Sequence, residues 1–217
     1  MERLRIVEFR ELKFLVPEDV YLPSDDSLLL AENFKVRDGE EVLEIGCGCG
    51  INALLAALRA GRVVATDINP SAAKATLWNA RLNGLNGKVE VLVGDLFGPI
   101  GVGEVFDVIL FNPPYLPSTP EEGCSILEKS WQGGESGREV VDRFLEEVGD
   151  HLKKDGRIYL VQSTLSRIDE TVKRLEEKGY WVRMLGETRF PFETIVCIEA
   201  RRRLIFGCME FKTQDHL

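Results

Sequence analysis

The sequence predicts an α/β fold, a mostly parallel, doubly wound sheet with helices on both faces. Three observations carry that prediction. From residue 41 onward, short β-branched runs alternate with longer segments of helical periodicity. A glycine-rich turn, Gly46-Cys47-Gly48-Cys49-Gly50, separates the first of these strands from the first helix. The fourth apolar run, Phe106 to Phe111, opens into Asn112-Pro113-Pro114-Tyr115, at the edge where open α/β sheets bind their ligands.

Each element follows from local chemistry. Glu41 to Ile45 reads as a strand and Ile51 to Ala60 as a helix; Arg62 to Thr66 is the second strand. Pro70 to Asn83 is a helix, because proline suits a first turn that needs no N–H and Gly84 lies just beyond the end. Val89 to Val93 and Phe106 to Phe111 are the third and fourth strands. Glu139 to Leu152 places Val140, Val141, Phe144, Leu145 and Val148 on one helical face. Arg157 to Val161 is the fifth strand and Ile168 to Lys178 a charged amphipathic helix. Trp181 to Leu185 and Thr194 to Glu199 form a final strand pair joined through Pro191. Residues 1–34 read as an extension ending in a helix, with Ser24 as its N-cap and Asp25 and Asp26 in the first turn. Leu116 to Gly137, rich in Pro, Gly, Ser and Glu, is too long for a plain connector and is expected on the substrate side.

With 217 residues and 44% hydrophobic content, the chain suits one domain, residues 1–217, with 35–217 as its core. No apolar run reaches the roughly 20 residues of a membrane span. The first residues are mixed in charge, unlike a signal peptide. Five cysteines without Cys-x-x-Cys spacing point to reduced thiols and a cytoplasmic setting. Cys47-x-Cys49 lacks a second half at metal-ligand spacing, so no metal is expected. A net charge of −9 argues against a long grip on a phosphate backbone, and favours a small-molecule or basic protein partner.

The glycine turn alone fits many nucleotide-binding proteins. Two carboxylates sharpen it. Asp67, about 20 residues further on, ends the second strand where it can accept from both hydroxyls of a ribose. Asp95, followed by Leu96, closes the third strand and can accept from an adenine amino group. A pyrophosphate-binding dehydrogenase has no need of that second acid, and Glu44 beside the turn would repel a pyrophosphate. Asn112-Pro113-Pro114-Tyr115 suits a planar nitrogen. An Asn side-chain oxygen and a nearby backbone carbonyl accept both hydrogens of an amide or exocyclic amine. The prolines stiffen that backbone, and Tyr115 offers a ring for stacking.

Taken together, Glu44-Ile45-Gly46-Cys47-Gly48-Cys49-Gly50, Asp67, Asp95 and Asn112-Pro113-Pro114-Tyr115 resemble the class I S-adenosylmethionine-dependent methyltransferases, over roughly Val20 to Val161. The resemblance implies a Rossmann-like sheet of seven strands with the last antiparallel. Val20-Tyr21-Leu22-Pro23-Ser24-Asp25-Asp26-Ser27 is similar to the Val-Tyr-x-Pro-x-Glu-Asp-Ser/Thr signature of the archaeal and eukaryotic HemK-type glutamine methyltransferases, departing from it at Asp25. Trp131-Gln132-Gly133-Gly134-Glu135-Ser136-Gly137 resembles the Trp-x-Gly-Gly-x-x-Gly loop of the same group.

The resemblance implies S-adenosyl-L-methionine held by Tyr21, Asp26, Ser27, Glu44, Gly46, Gly48, Gly50, Asp67, Ile68, Asp95, Leu96 and Asn112. Residues 1–34 would close over that site. Asn112, Pro113, Pro114 and Tyr115 would hold the glutamine of a Gly-Gly-Gln motif in a translation release factor. It also implies a small zinc-binding activator paired with the Val89-Glu90-Val91-Leu92-Val93 edge, unusually apolar for an exposed strand, although a covered edge fits that pattern equally well. The other reading of these motifs is a methyltransferase acting on an exocyclic amine of a nucleic-acid base. That enzyme must extract its base and usually carries a recognition domain or a basic face, neither of which is evident in the sequence. An inactive cofactor binder would have no use for the Asn-Pro-Pro-Tyr clamp. Trp131 can equally pin its loop to the core. Arg201-Arg202-Arg203 is expected to solvate the end of the last strand, and His151 and His216 carry no expected chemistry.

Overall fold

The structure, a computed structural model, describes residues 4–118 and 125–203. His216 and the tip of the Leu116–Gly137 stretch lie outside them. The elements in chain order are β1 (Leu4–Phe9), β2 (Leu12–Pro17), α1 (Asp25–Asn33), β3 (Glu41–Ile45), α2 (Ile51–Ala57), β4 (Arg62–Asp67), α3 (Pro70–Leu82), β5 (Val89–Val93), β6 (Phe106–Phe111), α4 (Glu139–Glu147), β7 (Leu152–Ser163), α5 (Ile168–Glu177), β8 (Tyr180–Arg189) and β9 (Thr194–Arg202). Alternation along each strand decides which core a side chain enters. Val42, Val63, Ala65, Val108, Leu110 and Val161 pack against α1, α2 and α3. Their neighbours Leu43, Ile45, Val64, Ile109, Phe111, Ile158 and Leu160 pack against α4 and α5. The strands are apolar on both faces because helices cover both, as a parallel sheet requires.

The seven-stranded sheet has the order β5-β4-β3-β6-β7-β9-β8. β9 runs antiparallel to both of its neighbours, so the last strand is the reversed one, inserted between β7 and β8. β3 pairs with β4 on one side and β6 on the other, and the chain therefore changes direction across the sheet between β3 and β6. That crossover opens a crevice at the carboxyl ends of the strands, where the glycine turn and Asn112 both fall.

Four local expectations are corrected. Helix α2 stops at Ala57, and residues to Ala60 continue as a turn in which the Ala60 N–H donates to the Ala56 carbonyl. Helix α4 stops at Glu147 and tightens into a 3-10 turn over Val148–His151; β7 then begins at Leu152, whose buried side chain sits in register with Phe106. The final strands extend further than the apolar pattern suggests, leaving only residues 190–193 as their turn. Ser24 occupies the N-cap of α1, but its side chain makes no capping bond.

Residues 4–17, expected as part of a plain extension, form instead the β1–β2 hairpin, an antiparallel pair running from Leu4↔Pro17 to Phe9↔Leu12. Its inner strand buries Phe14 and Val16. Its backbone is held by side chains of α3. Asn79 accepts from the Leu15 N–H at 2.9 Å and donates to the Leu15 carbonyl at 3.1 Å, and Asn83 treats Lys13 in the same way. Two amides thus act as a substitute strand. Among the described residues no helix is long and apolar enough to cross a membrane.

Candidate active site

The turn from β3 into α2 builds the floor of a cavity of about 250 Å³. Gly46, Gly48 and Gly50 all hold positive φ, a conformation that side chains resist. The turn presents the Gly48 N–H to the Asp67 carboxylate at 2.8 Å, while the other Asp67 oxygen accepts from Asn69 N–H at 2.8 Å. This fixes the acid at the end of β4 facing the glycines. Burial raises the Asp67 pKa, against the two backbone donors.

Glu44, Asn52 and Asn112 give this cavity its chemistry. Glu44 is only 2% exposed, and burial pushes its carboxyl pKa up to about 8. Its Oε2, Asn52 Oδ1 and Asn112 Oδ1 are buried and have no hydrogen-bond partner, and all three residues line the same cavity. Buried acceptors are rarely left empty in a folded protein. Three of them around one space call for a ligand rich in N–H donors, with a cationic group opposite Glu44. The glycine turn supplies close backbone approach. Asn52 was not foreseen: it sits at the second position of α2, where the sequence shows only an ordinary helix start.

The other predicted residues distribute unevenly. Tyr21, Ser27, Ile68, Asp95, Leu96 and Pro114 line this cavity. Leu96 holds φ 46°, a strained conformation for a branched side chain, and is buried. Asp95 is at the rim, where Arg143 already donates to it at 2.6 Å, so any ligand amine shares that carboxylate. Asp26 is placed differently from expectation. It borders a neighbouring cavity of about 270 Å³ with Tyr21, Pro113, Tyr115, Leu116, Ser130 and Trp131. Asp26 is buried and accepts from the Tyr21 hydroxyl at 3.1 Å, the Tyr115 hydroxyl at 3.3 Å and the Ser27 N–H at 2.6 Å. Burial, and then the Asp26 charge, raise both tyrosine pKa values, so both hydroxyls stay protonated and donating.

The Asn112-Pro113-Pro114-Tyr115 segment therefore straddles two cavities. Asn112 and Pro114 face the first, and Pro113 and Tyr115 face the second. Tyr21 and Ser130 belong to both walls. The segment is backed by the glycine loop that follows it. Leu116 N–H donates to the Trp131 carbonyl at 2.9 Å, Gly133 N–H to the Leu116 carbonyl at 2.8 Å, and Ser118 N–H to the Gly134 carbonyl at 3.0 Å. A Cβ on Gly133 would lie 2.7 Å from the Pro114 carbonyl oxygen. One on Gly137, which holds φ +70°, would collide with the Tyr115 carbonyl oxygen. Only glycine lets this loop lie flat against the motif backbone. Trp131 does more than pin the loop, since it also borders the second cavity.

The remaining candidates are structural. His151 bonds the Glu104 carbonyl at 3.0 Å through Nδ1 and stacks on Phe97 with centroids 4.7 Å apart. The three final arginines are tied down more firmly than expected. Arg201 pairs with Glu199 at 2.6 Å, Arg202 with the Gly149 carbonyl, and Arg203 with the Tyr180 carbonyl at 3.1 Å. Cys47 and Cys49 are buried free thiols, and burial raises both pKa values. Strand β5 forms one edge of the sheet, with Val93 54% exposed.

The comparisons point the same way as the geometry. The model of the family described as Methyltransferase small domain matches residues 24–129. A Methanocaldococcus jannaschii protein, provisionally described as a protein N5-glutamine methyltransferase, is 39% identical over 199 residues, 91% of this chain and 99% of its own length. Methyltransferase HEMK2 of Homo sapiens is 37% identical over 172 residues, 74% of this chain and 79% of its own. Among solved structures, an E. cuniculi Mtq2–Trm112 complex, described as responsible for methylation of the eRF1 translation termination factor, superposes with a TM-score of 0.63 at 28% identity. That match covers 85% of this chain and 99% of the other.

Proposed function

We infer the reaction from the family and the site together: this chain belongs to the HemK-type protein glutamine methyltransferases, and it methylates the side-chain nitrogen of the Gly-Gly-Gln glutamine in a translation release factor. The observation that carries the reading is the buried, unpartnered Asn112 Oδ1 where β6 opens into the cavity.

S-adenosyl-L-methionine fits the first cavity. Its ammonium would face Glu44, its ribose hydroxyls Asp67, and its adenine the rim formed by Ile68, Asp95 and Leu96. Gly46, Gly48 and Gly50 would allow close approach, and Tyr21 and Ser27 would cover it from the N-terminal side. The bound cofactor supplies an electrophilic methyl group. Everything else in the reaction falls to this chain's residues.

An amide nitrogen is a poor nucleophile, because its lone pair is delocalised into the carbonyl. The enzyme must hold it at near-attack geometry. Asn112 Oδ1 and the Pro113 carbonyl accept its two hydrogens and favour positive charge as it builds on nitrogen. Neither acceptor reorganises during the reaction: the prolines lock the backbone and the glycine loop backs it. Tyr115, held through Asp26, fixes the amide plane. The methylated nitrogen is acidic enough to lose its proton to water or to one of these acceptors.

The activator belongs to the same reading. The E. cuniculi relative was solved in complex with Trm112, and here β5 offers an apolar edge for added strand pairing. A small zinc-binding protein is the partner proposed for it.

Replacing Asn112 with Ala tests the clamp. Methyl transfer to the release factor should fall by about 100-fold or more while calorimetric cofactor affinity stays within about tenfold. Equal loss of both would remove Asn112 from substrate binding.

A further inference from the structure

We propose that the turn between β8 and β9, with Phe190 and Phe192 at its tip, is a docking element for the folded body of the protein substrate. This deepens, and rests on, the glutamine methyltransferase reading. Strand β8 runs in the same direction as β3 and β6, since both it and β7 are antiparallel to β9. Its turn, residues 190–193, therefore emerges at the edge that carries Asn112.

The turn is fastened there by polar bonds. Phe190 N–H donates to the Glu193 carbonyl at 2.7 Å and closes it. The Ser163 hydroxyl, at the end of β7, donates to Glu193 Oε1 at 2.6 Å, and Thr194 N–H donates to Thr164 Oγ1 at 3.0 Å. Glu193 lies close enough to the Tyr115 hydroxyl to help hold its pKa up. Through the Ser163 and Thr164 bonds, the turn is thus anchored to the end of β7, the strand next to β6 and its Asn112–Tyr115 segment.

What this fastened turn presents is apolar. Phe192 is 93% exposed and Phe190 39%, and Leu165 beside them on the 3-10 turn after β7 is 42% exposed. Leu22, next to Tyr21, and Ile126, which lines the first cavity, are exposed as well. A single exposed apolar residue needs no explanation, but several at the edge of the sheet that carries the site mark an interaction site. A protein that presents a glutamine to Asn112 lays the chain on either side of it along this edge of the sheet. The occupant of that edge is therefore the same macromolecule that fills the cavity. A fully exposed phenylalanine on a rigid turn is the kind of aromatic anchor that dominates protein interfaces. A nucleic-acid substrate would call for cations here instead.

The test uses the full chain with its activator, a folded release factor as substrate, and the variants Phe192→Asp and Phe192→Leu. Both changes lie at the surface and leave Asn112 and the cofactor cavity untouched. For Phe192→Asp the KM for the release factor should rise about tenfold or more, with kcat at saturation and cofactor affinity within about twofold. Phe192→Leu should restore most of the loss. A KM unchanged in Phe192→Asp, while the unaltered enzyme methylates the factor normally, would overturn the docking role alone. A fall in kcat without a rise in KM would also overturn it. Absence of transfer by the unaltered enzyme would overturn the functional reading, and the docking role with it.

Discussion

Asp26 shows how much one residue's placement changes its expected role. Asp25, where the sequence departs from the HemK-type signature, is exposed, and Asp26 is buried. Yet Asp26 faces the Tyr115 cavity and holds two tyrosine hydroxyls, one from the N-terminal segment and one from the motif. Its replacement by Ala should lower kcat by about 10- to 100-fold through loss of orientation, with cofactor affinity changed by less than about threefold. Calorimetry alongside steady-state kinetics separates the two effects. An equal loss of cofactor affinity would return Asp26 to the cofactor site. The sequence could not show which cavity it faces, because Tyr115 is 89 residues away. The Asp95–Arg143 pair, 48 residues apart, was hidden for the same reason.

Glu44 carries a pH signature. Its folded pKa of about 8 lies above the ordinary glutamate value, and burial is the main cause. The folded state therefore binds a proton that the unfolded chain has released. Stability of the ligand-free protein should fall as pH rises from about 4.5 to 8, by an amount on the order of a few kcal/mol. Cofactor affinity should rise over the upper part of that window, as the carboxylate proposed to face the ammonium ionises. In Glu44→Gln, thermal unfolding of the ligand-free protein should lose that slope, and cofactor binding should lose its pH dependence. A slope unchanged in Glu44→Gln would place its origin elsewhere.

At the scale of elements, the sheet was largely legible. Its strands are apolar on both faces and their neighbours are covered by helices, so local composition and final position agree. The hairpin was not legible. β1 turns Leu4 and Ile6 outward, which blurs the alternation, and the bonds that hold β2 come from Asn79 and Asn83, 64 and 70 residues further along. The glycine loop was legible as a pattern and not as a device. Trp131 to Gly137 shows where glycine occurs, but the need for it comes from the carbonyls of Pro114 and Tyr115. Gly133→Ala probes that need without backbone strain, because Gly133 does not hold a positive φ, and its added methyl would meet the carbonyls of Pro114 and Gly137 alike. The added methyl should displace the motif and reduce kcat by about 10- to 100-fold, with cofactor affinity within about threefold. Unchanged kcat would mean that the loop yields instead of the motif.

At the scale of the whole molecule, topology and charge work together. The crossover between β3 and β6 puts the glycine turn, Asp67 and Asn112 at one edge, although they span more than sixty residues of sequence. The β7–β9–β8 arrangement brings the Phe190–Phe192 turn to that same edge. The opposite end of the sheet carries β5, left unpaired on its outer side among the described strands. The carboxyl-end site and the free β5 edge are thus separate surfaces of one sheet. A net charge of −9 disfavours non-specific nucleic-acid binding, consistent with the proposed recognition through apolar contacts. The measurement that bears most directly on this account is transfer of labelled methyl from S-adenosylmethionine to a release factor, with and without the activator. The predicted result is one label per factor, mapped to the Gly-Gly-Gln glutamine and lost when that glutamine is replaced. Label that persists on the replaced factor, or that appears on RNA or DNA in its place, would contradict it.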